Sequence, residues 1–284
     1  MNRDTSTPSP GLLGDTATRD YSHKLRLFNA FAAPELRQAI ADLNLRSGMR
    51  VLDAGCGTGE ALHWLAQAVE PNGSVVGIDL SAAHVAAART AATSAVQVLQ
   101  GDLRDLHLPR ADFDVIWCVN TINHFHEPLD TVKGLATWLR PDGRISLGQS
   151  SLLPDMYFAW DARLERLTTE AVRRYYRERY RLNERDLTAQ RAIAGLLRRA
   201  GLQSVTARTY TIERLSPLGP EDRSYLLEAI FLRTWGERLR PYLSSDDYEE
   251  LARLCDPHNV EFALDRPDFH FIQTFTVVMG TAAR

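Results

Sequence analysis

A chain of 284 residues in which 44% are hydrophobic has enough material for one large α/β domain with a buried core. Its net charge of −3 argues against the basic surface of a nucleic-acid-binding protein, and its three cysteines predict neither a disulfide framework nor a metal site. No run of residues has the length and hydropathy of a membrane span. Residues 1–10 lack the apolar core of a signal peptide, so we expect a cytoplasmic protein.

The residues before position 49 differ in character from the rest of the chain. Residues 1–19 are polar and rich in Ser, Thr, Pro and Gly, so we predict a mobile tail. Residues 20–48 carry apolar side chains at helical spacing, interrupted at Pro34, and are predicted to form two short helices. Residues 49–284 are predicted to form the folded core.

Strand and helix patterns alternate in the core. Near-continuous apolar strands are predicted at 49–54, 74–80, 96–100, 113–119 and 144–148, with two more at 204–212 and 269–279. Because helical patterns separate the first five strands, the sequence predicts a parallel sheet that is covered on both faces.

Helical insertions interrupt this alternation at 151–185 and 214–268. The first contains a dense basic tract at 173–181, in which arginines are interleaved with tyrosines. One interpretation of the tract is a solvated helix face whose tyrosines pack inward. The other is recognition of an anionic group such as a carboxylate or a diphosphate. We expect both insertions to cover the carboxyl edge of the sheet, where α/β proteins bind their ligands.

A glycine-rich loop at 53–59 joins the first strand to the first helix. Its pattern is D-x-G-x-G-x-G, and the glycines let the backbone approach a ligand closely at the helix N-terminus. A dinucleotide-binding loop would need glycine at the position of Glu60. Asp53 would repel a pyrophosphate, but its carboxylate can orient the cationic end of a sulfonium cofactor. Asp79 closes the second strand, where it can accept hydrogen bonds from both ribose hydroxyls.

This loop resembles motif I of the class I methyltransferases that use S-adenosylmethionine (SAM), and residues 49–150 resemble the core of that family in the same order. Residues 101–103 match its adenine-flanking acid and apolar residue, and residues 139–143 match its L-x-P-G-G turn. The resemblance implies SAM as the cofactor. It also implies an α/β, Rossmann-like sheet of seven strands in the order 3-2-1-4-5-7-6, with strand 7 antiparallel and with helical cap insertions.

The resemblance further implies which residues hold the cofactor. Asp79 is expected on the ribose, Asp102 on the adenine amine and Asn120 beside the methionine moiety. The full set is Asp53, Ala54, Gly55, Gly57, Gly59, Asp79, Leu80, Asp102, Leu103 and Asn120. In similar enzymes the N-terminal helices lie over the cofactor, so residues 20–48 are expected to form a lid.

Two residues are candidates for a direct part in catalysis. His124 follows the carboxyl end of the fourth strand, where the methyl group should point, and it is the leading candidate for a general base. Packing against the cofactor is the alternative. Tyr21 opens the lid, where its hydroxyl can contact the cofactor, position the substrate or only pack. Candidates for substrate binding around a roofed, apolar pocket are Gln149, Tyr157, Tyr176, Trp235 and Phe271.

Residues 120–128 look like the variable loop of ubiquinone- and menaquinone-biosynthesis methyltransferases, from which Asn123 and Glu127 depart. We therefore expect methylation of oxygen or nitrogen on an apolar small molecule, such as a secondary metabolite. The alternatives are C-methylation of an isoprenoid or indole-terpenoid substrate through a carbocation, an RNA methyltransferase and a non-catalytic SAM-binding module. The acidic net charge argues against a nucleic-acid partner, and homo-oligomer formation stays open.

Overall fold

The computed structural model describes residues 10–151, 161–183 and 189–284, and its centre is a sheet of seven strands. The strands are β1 (Arg50–Ala54), β2 (Ser74–Asp79), β3 (Val96–Gln100), β4 (Phe113–Val119), β5 (Leu139–Ser150), β6 (Gln203–Leu215) and β7 (His270–Thr281). Their order is β3-β2-β1-β4-β5-β7-β6, and β7 is antiparallel to both of its neighbours. The predicted strand order and the direction of strand 7 are confirmed.

Strands β5 and β6 are longer than the sequence pattern predicts. β5 begins at Leu139, where the pattern predicts a turn, because Leu139 already pairs with Phe113 of β4 before a register shift. β6 continues to Leu215, which pairs with His270 of β7. A long antiparallel partner therefore extends β6 beyond its own apolar pattern.

Helices cover both faces of the sheet. They are α1 (Ser22–Phe31), α2 (Ala33–Ala41), α3 (Glu60–Val69), α4 (Ala82–Thr90), α5 (Pro128–Ala136), α6 (Ala162–Tyr180), α7 (Ile193–Arg199), α8 (Pro220–Ser224) and α9 (Ser245–Cys255). A π-helix, Tyr225–Trp235, continues α8, and a 3₁₀ turn, Glu237–Tyr242, follows it. None of the helices in the described ranges is long and apolar enough to cross a bilayer.

Two apolar cores flank the sheet. One lies under α5 and α7, where Ile116 and Leu147 of the sheet meet Val132 and Ile193. The larger one combines the other sheet face with α1 to α4 and with the helices of both insertions. Because α1 and α2 pack directly on this core, the two helices predicted before the first strand are part of the folded domain.

Residues 10–19, which the sequence assigns to a mobile tail, lie against the carboxyl edge of the sheet. The Leu12 amide donates a hydrogen bond of 2.7 Å to the His124 carbonyl, and the Ala82 amide donates one of 2.9 Å to the Ala17 carbonyl. The Ser81 hydroxyl donates to the Arg19 carbonyl at 2.8 Å. These contacts use backbone groups, which any sequence carries, so the polar composition of the segment gave no sign of them.

Candidate active site

The glycine-rich loop follows β1 and opens α3 at the centre of the sheet edge. Gly55, Gly57 and Gly59 all have positive φ angles, of 87°, 52° and 93°. A side chain at Gly55 would also collide with Thr121, which follows β4. The loop therefore needs glycine for its backbone conformation and for the close approach of the neighbouring loop.

Asp79, at the end of β2, holds this loop in place. Its Oδ2 accepts a hydrogen bond of 2.9 Å from the Gly57 amide. Its Oδ1 accepts one of 2.9 Å from the Ser81 amide and one of 3.0 Å from Nδ1 of His84. Oδ2 retains a free lone pair on the cavity side, where a ribose hydroxyl can donate.

Asp53 is a buried carboxyl group near the end of β1. Among the residues that the structure describes it has no cationic partner, and its Oδ2 has no hydrogen-bond partner. Burial raises the pKa of Asp53 to about 8, and the negative charges of Asp79 and Glu60 add to the effect. A cationic ligand group would offset both the burial of the carboxylate and its repulsion by Asp79 and Glu60. The carboxyl group therefore fits the ammonium and sulfonium end of SAM.

A cavity of about 200 Å³ connects these groups. The predicted cofactor residues that line it are Asp53, Gly55, Gly57, Asp79, Leu80, Asp102, Leu103 and Asn120. Two others do not line it, because Ala54 is fully buried within β1 and Gly59 caps α3.

Asp102 and Asn120, which both line this cavity, are held by their neighbours. Arg104 binds the Asp102 carboxylate with Nη2 at 2.6 Å. Burial raises the pKa of Asp102, but the hydrogen bonds from Arg104 outweigh burial, so the pKa lies below its usual value. Asn120 has a positive φ of 51°, and its Oδ1 accepts hydrogen bonds from the amide and the hydroxyl of Ser150. Both side chains are thereby fixed before any ligand arrives.

His124 and Tyr21, the two catalytic candidates, both lie beside Asp15. Nδ1 of His124 is 2.7 Å from Oδ2 of Asp15, so its N–H donates to the carboxylate and Nε2 remains to accept a proton. Burial raises the pKa of Asp15, but its hydrogen bond with His124 and the nearby charge of Arg19 outweigh burial, so the pKa lies below its usual value. Burial, with the charge of Asp15, raises the pKa of Tyr21, which is therefore a proton donor rather than a base.

His84 belongs to the site although the sequence reasoning missed it. It is buried on the first turn of α4, and its Nε2 accepts a hydrogen bond of 3.0 Å from the Tyr21 amide. Nδ1 must then carry the proton that is donated to Asp79. The neutral imidazole of His84 thus connects Asp79, which holds the glycine-rich loop, to Tyr21 at the start of the lid. Its position next to Val85 on the apolar face of α4 was the sequence signal that could have indicated a buried histidine here.

The structure separates the predicted substrate residues from this cavity. Gln149, Tyr176, Trp235 and Phe271 do not line it, and Tyr157 lies outside the described residues. Phe271 is fully buried against Phe31, with the ring centroids 5.6 Å apart. Trp235 is buried too and stacks on Phe231. These two aromatic residues thus belong to the core, and the role of all five residues in substrate binding stays a prediction.

The apolar wall of the cavity comes from the N-terminal helices instead. Leu25 and Phe28 of α1 and Leu36 and Ile40 of α2 line it, together with Trp64, Trp117 and Phe125. The insertions pack behind α1, where Tyr225 of the π-helix stacks on Phe31 at 4.3 Å. The described parts of both insertions therefore support the cover of the cavity without lining it.

The fold and the loop geometry define a class I SAM-dependent methyltransferase. A family model described as a methyltransferase domain matches residues 51–143. The chain is 31% identical over 226 residues to nocamycin O-methyltransferase of Saccharothrix syringae, which covers 75% of this chain and 77% of that protein. The chain therefore belongs to the class I SAM-dependent methyltransferases, whose cofactor is SAM.

Two further similarities cover smaller shares of the other protein. The chain is 36% identical over 117 residues to 27-O-demethylrifamycin SV methyltransferase of Amycolatopsis mediterranei, which is 39% of this chain and 42% of that one. Phosphoethanolamine N-methyltransferase 2 of Haemonchus contortus, solved in complex with SAM, has a TM-score of 0.51 at 16% identity. That alignment covers 92% of this chain and 57% of the other, and it shows the fold alone.

Proposed function

We propose that this protein transfers the methyl group of SAM to a hydroxyl oxygen of an apolar small molecule of secondary-metabolite type. The observation that carries the proposal is the pair of His124 and Asp15 beside the cavity, after the carboxyl end of β4. A hydroxyl must lose its proton when it is methylated, and a histidine oriented by a carboxylate is suited to accept that proton.

The roles of the residues follow from their positions. When bound, SAM would supply an activated methyl carbon: the acceptor oxygen bonds to this carbon in line with the carbon–sulfur bond, which breaks and leaves S-adenosylhomocysteine. Asp53 orients the cationic end of the cofactor, and Asp79 orients its ribose. Nε2 of His124 takes the hydroxyl proton as the oxygen–carbon bond forms, and Asp15 stabilises the resulting imidazolium. Tyr21, which stays protonated, donates a hydrogen bond to the acceptor or to Asp15.

The apolar wall supports an acceptor with a hydrophobic body. The side chains of Leu25, Phe28, Trp64 and Trp117 give the cavity an apolar lining beside its carboxylates. Two relatives are named as methyltransferases of nocamycin and of a rifamycin, which favours an acceptor of the same general kind. C-methylation through a carbocation would also end in loss of a proton, but from carbon and only after the carbon–carbon bond has formed, and the printed names of the two relatives favour oxygen instead.

A methyl-transfer assay tests the proposal directly. The purified protein is incubated with SAM carrying a labelled methyl group and with three sets of acceptors: hydroxylated polyketides and quinols, isoprenoids, and total RNA. Mass spectrometry of the product locates the methyl group. We expect O-methylation of the first set and loss of this product in His124→Asn. Labelling of RNA or of an alkene carbon would overturn the proposal, and SAM binding without transfer to any acceptor would indicate a binding module.

A further inference from the structure

Glu60, the first residue of α3, connects the glycine-rich loop to the helix that covers it. The Thr58 hydroxyl lies 2.9 Å from Oε1 and 2.7 Å from Oε2 of this carboxylate, so it donates to Glu60 from within the loop. Nδ2 of Asn29 on α1 donates to Oε2 at 2.8 Å, from 31 positions earlier in the chain. A glutamate at a helix start is favoured by the helix dipole alone, but the dipole does not require a partner on another element.

The bond to Asn29 is the last of three contacts along one face of α1. The Tyr21 amide, which precedes the helix, donates to Nε2 of His84. The Leu25 side chain packs so closely on Gly57 that a Cβ atom at this glycine would lie 3.1 Å from Leu25 Cδ1. Positions 21, 25 and 29 are four residues apart and therefore share one helix face. This face covers the cavity, because all three residues line it.

The other side of α1 is held by a different part of the chain. The Phe31 ring stacks on Tyr225 of the π-helix with 4.3 Å between the ring centroids. Nε2 of His23 lies 2.6 Å from Oε2 of Glu228, also on the π-helix. Neither contact involves the glycine-rich loop. Loss of the Glu60 carboxylate should therefore leave α1 folded against the π-helix and remove only its attachment to the loop.

The part of α1 that carries Asn29 also carries part of the apolar wall. Leu25 and Phe28 line the cavity on the same turns of the helix. A shift of α1 relative to the loop would move these side chains relative to the bound cofactor. In-line methyl transfer depends on the alignment of acceptor and cofactor, so it depends on how α1 is placed.

We propose that Glu60 is a positioning residue, which through Asn29 fixes α1, and with it the acceptor wall, relative to the loop that binds SAM. It acts through the hydrogen bonds that it accepts and not through its charge. Because cofactor and acceptor then share one framework, binding of either should favour binding of the other. The inference rests on the proposed function where it concerns the acceptor, whereas the link from Glu60 to α1 is testable without one.

Hydrogen exchange of the α1 amides, followed by mass spectrometry with and without S-adenosylhomocysteine, tests this link. Glu60→Ala should speed exchange of residues 22–31 about tenfold in the free protein, as loss of one hydrogen bond to a charged group predicts. S-adenosylhomocysteine should slow this exchange in the wild type and much less in Glu60→Ala. Glu60→Gln keeps an oxygen that accepts from Asn29, so it should behave as the wild type does. Glu70→Ala, at an exposed position at the end of α3, is the control.

A double-mutant cycle separates positioning from a general loss of stability. If Glu60 acts through Asn29, Asn29→Ala should speed exchange as much as Glu60→Ala does, and the double variant should exchange no faster than either. Additive effects of the two substitutions would overturn the proposal. Equally fast exchange in Glu60→Gln and Glu60→Ala would overturn it too, because the charge would then be the cause. Unchanged exchange in Glu60→Ala would show that the carboxylate does not hold α1.

Steady-state kinetics at saturating SAM, with an acceptor that the methyl-transfer assay identifies, tests the effect on the acceptor wall. Glu60→Ala should lower kcat/KM for the acceptor about tenfold, and Glu60→Gln should restore it. A change confined to the Kd for SAM would overturn the connection to the acceptor. The exchange experiment uses no acceptor, so failure of the proposed O-methylation would leave its result standing.

Discussion

The cavity has two walls of different origin. The sheet wall consists of the loop at 53–59 and the ends of β2 and β3, and its residues lie close together in the sequence. The lid wall consists of residues 10–31 with His124, and its contacts join positions that are far apart, such as Asp15 and His124. The residues of the first wall can be identified from local sequence patterns, whereas those of the second come together only in the folded chain.

Under the proposed function, the two walls divide the work between cofactor and acceptor. The sheet wall lines the cavity with the carboxyl groups of Asp53, Asp79 and Asp102, which we assign to the cofactor. The lid wall lines it with apolar side chains, the pair of Asp15 and His124, and Tyr21, which we assign to the acceptor. Changes in the sheet wall should therefore affect cofactor affinity, and changes in the lid wall should affect turnover.

The largest expected effect concerns the lid wall. Because a positioned general base contributes roughly 10²- to 10⁴-fold, His124→Asn should lower kcat by that factor and leave the Kd for SAM unchanged. Asp15→Asn should lower kcat in the same direction, since it removes the partner of the imidazolium. The measurement is single-turnover methyl transfer, with His126→Asn as the control. A parallel loss of SAM affinity would mean that the two walls are not separable.

The next effect concerns the sheet wall. Asp79→Asn should weaken SAM binding by about 1–3 kcal/mol, because it removes a charged acceptor from the ribose and from the Gly57 amide. Calorimetric titration measures the change, and Asp130→Asn on the exposed start of α5 is the control. Wild-type affinity in Asp79→Asn would contradict the assignment of the ribose site.

A pH dependence should distinguish Asp53 from the other carboxylates. Its pKa is about 8 in the folded protein against an ordinary value of 3.8, so between these limits the folded state holds one more proton than the unfolded state. The stability of the free protein should therefore fall as pH rises, by about 2 kcal/mol between pH 6 and pH 8.

Denaturant titrations at several pH values, with and without SAM, measure this effect. Asp53→Asn should remove this part of the pH slope, and saturating SAM should abolish it by stabilising the carboxylate. Identical slopes for the wild type and for Asp53→Asn would show that Asp53 is already ionised in the free protein.

The smallest expected effect concerns the connection between the walls. His84→Asn removes the acceptor of the Tyr21 amide and the donor to Asp79, so it should weaken SAM binding by about 1 kcal/mol. It should also increase tryptic cleavage after Arg19, because the lid segment loses one of its attachments. His63→Asn on α3 is the control. If proteolysis of the two variants is alike, the imidazole does not hold the lid.

The sequence pattern was sufficient for the strands and for a sheet covered on both faces. The strand order and most of the sheet wall followed from the resemblance to class I methyltransferases, which a loop motif carries in its own few residues. The sequence was insufficient for Asp15 and His84, whose side chains bind partners that are far away in the sequence, His124 for Asp15 and the Tyr21 amide for His84. It did not show that Trp235 and Phe271 pack away from this cavity, because an aromatic pattern shows that a side chain is buried but not against which neighbours.

The central position of β7 has a consequence for how the chain folds. β7 is the last strand in the sequence, yet it lies between β5 and β6 and supplies the pairing edge of both. Until residues 270–281 are in place, both of those strands expose unpaired backbone groups, and β6 has no other neighbour in the sheet. Completion of the sheet is therefore a late, long-range step, and chains that lack these residues should aggregate through the two open edges.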